Sequence, residues 1–128
     1  NNALRNQPIV MHSDGQDTRT FCYISDAMVG LFKILLSDFN GEAFNVGNDT
    51  QGEVSMLELA HMVKEVSNKQ IEVVYRESSD KNYTKDNPRR RAPNLAKIRG
   101  MLDYQPTVDL RTGLARSIEW YKSNYNLQ

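Results

Sequence analysis

The sequence predicts a single α/β domain of short strands and about four helices. Three observations carry that expectation. Short apolar, alternating or β-branched stretches read as strands at 8–12, 19–24, 43–46 and 70–75. Apolar stripes at helical spacing, each opening on a capping residue, read as helices at 25–37, 55–67, 94–102 and 110–123. The 128 residues, 39% hydrophobic, suffice for one core.

Residues 1–7 are polar and read as a frayed lead-in or linker, which leaves 8–125 as the domain. Pro8-Ile9-Val10-Met11-His12 is a strand after a proline, and His12 stands at its end. Gly15 offers a turn, and the alternation from Thr20 to Ile24 gives the next strand. Ser25 then reads as an N-cap, with Asp26 in the first turn and Ala27, Val29, Gly30, Leu31 and Ile34 on the helix. Arg19 sits at the mouth of that strand, where a planar guanidinium suits phosphate oxygens; pairing with Asp17 or Asp26 accounts for it equally well.

Asn40-Gly41 marks a turn before the buried strand Ala43-Phe44-Asn45-Val46. Asn45 can serve a ligand or tie down a neighbouring loop. Ser55 and Glu58 form a capping box ahead of Leu59, Met62, Val63 and Val66, with His61 on the solvent side. After the β-branched run from Gln70 to Tyr75, a polar stretch of some seventeen residues reaches Pro93, long enough to suggest a functional or mobile loop. It contains Asp86-Asn87-Pro88-Arg89-Arg90-Arg91-Ala92-Pro93, where two prolines stiffen the backbone around three guanidiniums. Such a run can grip a pyrophosphate, or simply be a solvated basic face. Asn94 and Asp109 cap the last two helices, and Pro106 separates them; Trp120 and Tyr125 are expected to pack at the edges of the second.

Composition narrows the functions. Sixteen basic and sixteen acidic side chains cancel, so no net field recruits nucleic acid or anionic lipid. The apolar run from Ala27 to Leu36 is interrupted by Lys33 and is too short to span a bilayer. The lone Cys22 excludes an internal disulfide, suits a reducing, cytoplasmic compartment and reads as a small core residue. No metal-ligand spacing accompanies the histidines.

Five motifs, in order, resemble one family. Asp14-Gly15-x-x-Thr18-Arg19-x-Phe21-x-Tyr23-x-x-Asp26-Ala27 is followed by Phe44-Asn45-Val46-Gly47-Asn48 and Ser55-Met56-Leu57-Glu58-Leu59-Ala60. The Asp86-to-Leu95 stretch and Leu110-Arg111-Thr112-Gly113-Leu114 complete the set, which covers roughly residues 8–122. Together they resemble the substrate-binding part of extended short-chain dehydrogenase/reductases acting on nucleotide sugars, the NAD-dependent epimerase/dehydratase family. The loop and the Leu-x-x-Gly-Leu ending are most similar to the UDP-glucuronate decarboxylase and dTDP-glucose 4,6-dehydratase branch.

The resemblance implies a UDP- or dTDP-sugar ligand. It implies His12 against the base in place of a usual aromatic residue, Asn45 near the ligand, Arg19 on the diphosphate and Arg91 facing a sugar carboxylate. A second departure, Asp103-Tyr104 in place of Gly-Trp, bears on structure. The family's chemistry is hydride exchange with NAD, which needs a glycine-rich pyrophosphate turn and a Tyr-x-x-x-Lys pair. The seven glycines are scattered, and no Tyr-x-x-x-Lys occurs. The expectation is therefore a C-terminal fragment, beginning at Asn1, that lacks its Rossmann half, binds no cofactor, has no catalytic residue of its own and self-associates through uncovered apolar surface. A non-catalytic nucleotide-sugar-binding module would use the same arginines. A nucleic-acid contact through Arg89 to Arg91 would need further basic residues on that face.

Overall fold

Helix α2 organises the first half of the chain because its N-terminus is satisfied from several directions. In the computed structural model, which describes residues 2–77 and 87–125, α2 spans Met56–Ser67 and opens on the expected capping box between Ser55 and Glu58. The turn at residues 15–17 supplies two more acceptors: Leu57 N donates to Gly15 O and Met56 N to Asp17 O, each at 3.0 Å. Gly15 has φ +73°, and a Cβ there would stand 3.0 Å from Leu57 Cβ, so the turn requires glycine.

Around this seat the chain runs from a short 3-10 turn (Ala3–Arg5) through β1 (Ile9–Met11), β2 (Thr18–Arg19), α1 (Ile24–Leu35) and β3 (Val54–Ser55) to α2. It continues as β4 (Val73–Tyr75), β5 (Arg90–Arg91), α3 (Ala96–Leu102) and α4 (Leu110–Tyr125). β1 pairs in parallel with β4. A second sheet has the order β3-β2-β5, antiparallel on one side of β2 and parallel on the other. The four helices and short strands match the expected α/β class.

The core gathers on Tyr104, Leu95 and Ile98, with Ile34, Phe44, Val46 and Leu102 packed around them. α1 is fixed to this core by Asp26. Its buried carboxylate accepts from Thr107 N and Val108 N at 3.0 and 2.8 Å and from the Thr107 hydroxyl at 3.1 Å.

Several boundaries differ from the sequence expectation. The strand placed at 19–24 is a ladder only at Thr18–Arg19, and the chain then enters α1 one residue early. Tyr23, not Ser25, is the N-cap and offers no side-chain bond, because Asp26 and the backbone bond from Ala27 N to Tyr23 O hold that end. Ala43 to Val46 makes no ladder; Phe44 and Val46 are held by core packing instead. Leu95 takes the N-cap position of α3, while Asn94 Oδ1 accepts from Ala96 N one step ahead. The expected frayed lead-in is partly packed, since Ala3 and Leu4 are buried and their turn contacts α2. Asp109 does cap α4, accepting from Thr112 N at 2.8 Å. Trp120 stacks edge-on against Tyr121 and Tyr125.

Replacing Asp26 by alanine would strand two backbone N–H groups in the interior. The expected loss is about 3 kcal/mol of unfolding free energy in urea titrations. Gly30→Ala should also destabilise, by roughly 1–3 kcal/mol, because its Cβ would lie 2.6 Å from Val46 Cγ1 and 3.1 Å from the Tyr104 ring.

Candidate functional site

The second sheet brings Arg19 and the triple arginine together. β5 is held alongside β2 by Thr18 N donating to Arg89 O at 2.8 Å and Thr20 N to Arg91 O at 3.3 Å. In the resulting register Thr18 pairs with Arg90 and Arg19 with Arg91. Paired residues share a face of a sheet and neighbours in a strand alternate, so two faces are defined. Thr18 and Arg90 occupy one; Arg19 and Arg91 occupy the other.

The first face is closed by Glu53, just ahead of β3. Its carboxylate accepts from the Thr18 hydroxyl at 2.7 Å and from Arg90 Nε at 2.6 Å, with Arg90 Nη2 at 2.5 Å. The Arg90 bond, then the Thr18 bond, hold the Glu53 carboxyl below the usual glutamate range, and Glu53 in turn raises the Arg90 guanidinium.

On the second face, Arg19 donates through Nη1 to Thr18 O at 2.7 Å and Arg89 O at 3.2 Å, and through Nη2 to Asn87 Oδ1 at 2.8 Å. Neither carboxylate considered for it from the sequence, Asp17 or Asp26, is its partner. Those bonds leave Nε and one Nη2 hydrogen to offer. Arg91 is exposed, and its guanidinium has no hydrogen-bond partner among the described residues.

His12 lines a cavity of about 540 Å³ with Ser13, Asp14 and Gln16 on one side and Tyr75, Asn87 and Arg89 on the other. Its Nδ1 lies 3.0 Å from Arg76 O and, facing a carbonyl, donates to it. The cavity therefore adjoins the loop that Arg19 grips. Asn45 lies elsewhere: its Nδ2 donates to Asn94 O at 3.2 Å, the loop-tying bond that the sequence left open, and it does not line the cavity. Much of the long loop, residues 78–86, falls outside the described residues.

Glu53, Asn87 and the pairing of Arg90 with Glu53 were not singled out from sequence. The alternation Glu53-Val54-Ser55 ahead of a capping box was the available signal, since it puts Glu53 and Ser55 on one face. No cluster of three metal-binding side chains occurs among the described residues. The strand-to-helix junctions, Arg19 to Ile24, Ser55 to Met56 and Arg91 to Ala96, contain no glycine, so the residues present do not fit a dinucleotide pyrophosphate.

Comparison with known proteins follows the same line. No protein-family model matches the chain. UDP-glucuronic acid decarboxylase 5 of Arabidopsis thaliana is 40% identical over 112 residues, 88% of this chain and 30% of that protein. An epimerase of Methanothermobacter thermautotrophicus superposes with TM-score 0.86 at 32% identity, over 98% of this chain and 36% of that one. UDP-glucuronic acid 4-epimerase from Bacillus cereus, solved with UDP-glucuronic acid and NAD, gives TM-score 0.81 at 27% identity, over 95% and 37%. The chain spans between a quarter and two fifths of its relatives' length, matching their C-terminal part.

Carboxylates held low in the fold make acid the weak side of this protein. Glu58 and Asp109, which cap α2 and α4, are each depressed below their ordinary values by hydrogen bonds, so their contribution is full above those values, near pH 4.5 and 3.8, and fades as pH falls through the lower folded ones. Melting temperature should be flat from neutral pH to about 5 and drop below about 4.

Proposed function

We propose that this chain, a homologue of UDP-glucuronic acid decarboxylases and NAD-dependent epimerases/dehydratases, is the nucleotide-sugar-binding part of such an enzyme. The observation that carries the reading is the pairing of Arg19 with Arg91 across β2 and β5. Adjacent strands stand about 4.8 Å apart, so the two guanidiniums can reach neighbouring anionic groups of one ligand. Arg19 takes the diphosphate. Arg91 takes the sugar carboxylate, which favours a UDP-glucuronate-like substrate and the decarboxylase branch. His12, at the wall of the adjoining cavity, meets the base. Asn45 keeps its Oδ1 to accept a sugar hydroxyl.

The redox step belongs to residues outside this chain in the proposed parent, where NAD would be held. α1 supplies the contact with them. Ile24, Met28, Leu31, Phe32, Leu35 and Leu36 form an exposed apolar stripe, while Asp26, Gly30 and Ile34 on the other side meet the core. A helix packed on the core along one face and apolar along the other is suited to burial between two bodies.

Calorimetric titration of the chain with UDP-glucuronic acid tests the site. Arg19→Ala and Arg91→Ala should each weaken binding roughly ten- to a hundredfold, as expected for one charged hydrogen-bond partner. Arg91→Lys should recover only part, and Arg89→Ala should change little. Equal affinities across the set, or a deficit of Arg89→Ala as large as the others, would place the site on other residues. With NAD added, the chain alone should leave UDP-glucuronic acid intact by chromatography; any conversion would contradict a binding-only role. At rising concentration the chain should self-associate in sedimentation runs, and Leu35→Glu with Leu36→Glu should suppress this.

A further inference from the structure

The arginine pair depends on a strand with very little to hold it. β5 has two residues and, among the described residues, lies at the sheet edge with β2 as its one ladder partner. Its neighbours Arg89, Arg90 and Arg91 are all exposed. On the opposite face Glu53 reaches across the sheet, from the lead-in to β3 over Thr18 of β2 to Arg90 of β5. The Glu53 side chain is only 21% exposed against 75% for Arg90, so the carboxylate is the anchor and the guanidinium the tether.

We propose that Glu53 is a positioning residue: by clamping Thr18 and Arg90 on one face of the sheet, it sets Arg91 level with Arg19 on the other. The proposal rests on the reading of that face as the ligand site. Arg90 stands on the face opposite Arg19 and Arg91, where its Nε and Nη2 meet Glu53. It converts the carboxylate's hold into register, and in a strand of period two that register determines where Arg91 points. An exposed ion pair adds little to global stability, so the clamp acts on position and should be visible there.

Three measurements on the whole chain decide it: amide hydrogen exchange at Thr18 and Thr20, affinity for UDP-glucuronic acid, and melting temperature. In Glu53→Ala and Arg90→Ala both amides should exchange roughly tenfold faster, and affinity should fall by about tenfold, with melting temperature almost unchanged. The charge swap, Glu53→Arg with Arg90→Glu, should restore both amides and affinity towards wild type. Unchanged exchange in Glu53→Ala overturns the clamp. Faster exchange with unaltered affinity overturns the positioning role. If the wild-type chain takes up no UDP-glucuronic acid, the site reading itself fails and with it the positioning role, while exchange still tells whether the clamp exists.

Discussion

The ring of Tyr104 is the fixed point of the structure. It is fully buried, and its hydroxyl donates to Gly47 O at 2.8 Å. Burial drives the phenol upward from its ordinary value, so it stays protonated and able to donate. Cys22 Sγ lies 3.7 Å from the same oxygen, and burial raises that thiol too, consistent with a packing role and no nucleophile. The ring needs Gly30 of α1 to be a glycine, and the hydroxyl needs the 44–47 segment to present a carbonyl. That bond explains how Ala43 to Val46 can run extended without a ladder: the core and one buried hydroxyl hold it. Pro93 then packs on Gly47, where a Cβ would come within 2.7 Å. The loop carrying Arg91 is thereby pinned two residues beyond the arginine. A buried phenol thus sets one end of the Arg91 segment from the interior.

The other end is set at the surface. Sheets with strands of two residues gain little from their ladders, so side chains must supply what backbone pairing does not. Arg19 shows how. Three of its donors are spent on Thr18 O, Arg89 O and Asn87 Oδ1, which fixes the guanidinium plane and leaves a directed remainder for an anion. A lysine in its place would keep the charge without the rigid array that joins strand and loop. Preorganisation of this sort lowers the entropy lost on binding.

Local signals in the sequence were reliable where a side chain satisfies its own backbone. The Ser55–Glu58 box and the Asp109 cap stand where spacing put them, and the helices fall within two residues of their expected ends. Signals failed where a distant partner decides. Ser25 is a good capping residue by type, yet the helix begins at Ile24 because Asp26 is committed to Thr107 and Val108, 81 and 82 residues away in sequence. Alternation from Thr20 to Ile24 looked like a strand, but a ladder needs a neighbour, and β5 reaches only as far as Arg91. For the site, type and order of residues indicated Arg19, Arg91, His12 and Asn45. Their mutual placement was not legible, because it rests on a parallel pairing between segments some 70 residues apart. The same gap hid Glu53, whose meaning appears only once Arg90 is beside it.

The side chains of this sheet also suggest how the labour is divided between this chain and the rest of the proposed enzyme. Arginines can hold and orient anions but do not deprotonate at working pH, so the Arg19–Arg91 face can bind without acting as a base. His12 sits at the cavity wall with one ring nitrogen given to Arg76 O, a bond that orients the ring. Tyr104 in the core and Cys22 beside it are both shifted towards their protonated forms. Arg19 and Arg91, to which the proposed function gives the phosphate and carboxylate, stand on a sheet braced by Glu53. In the proposed enzyme the exposed apolar stripe of α1 is the surface on which the residues that make and break bonds would arrive.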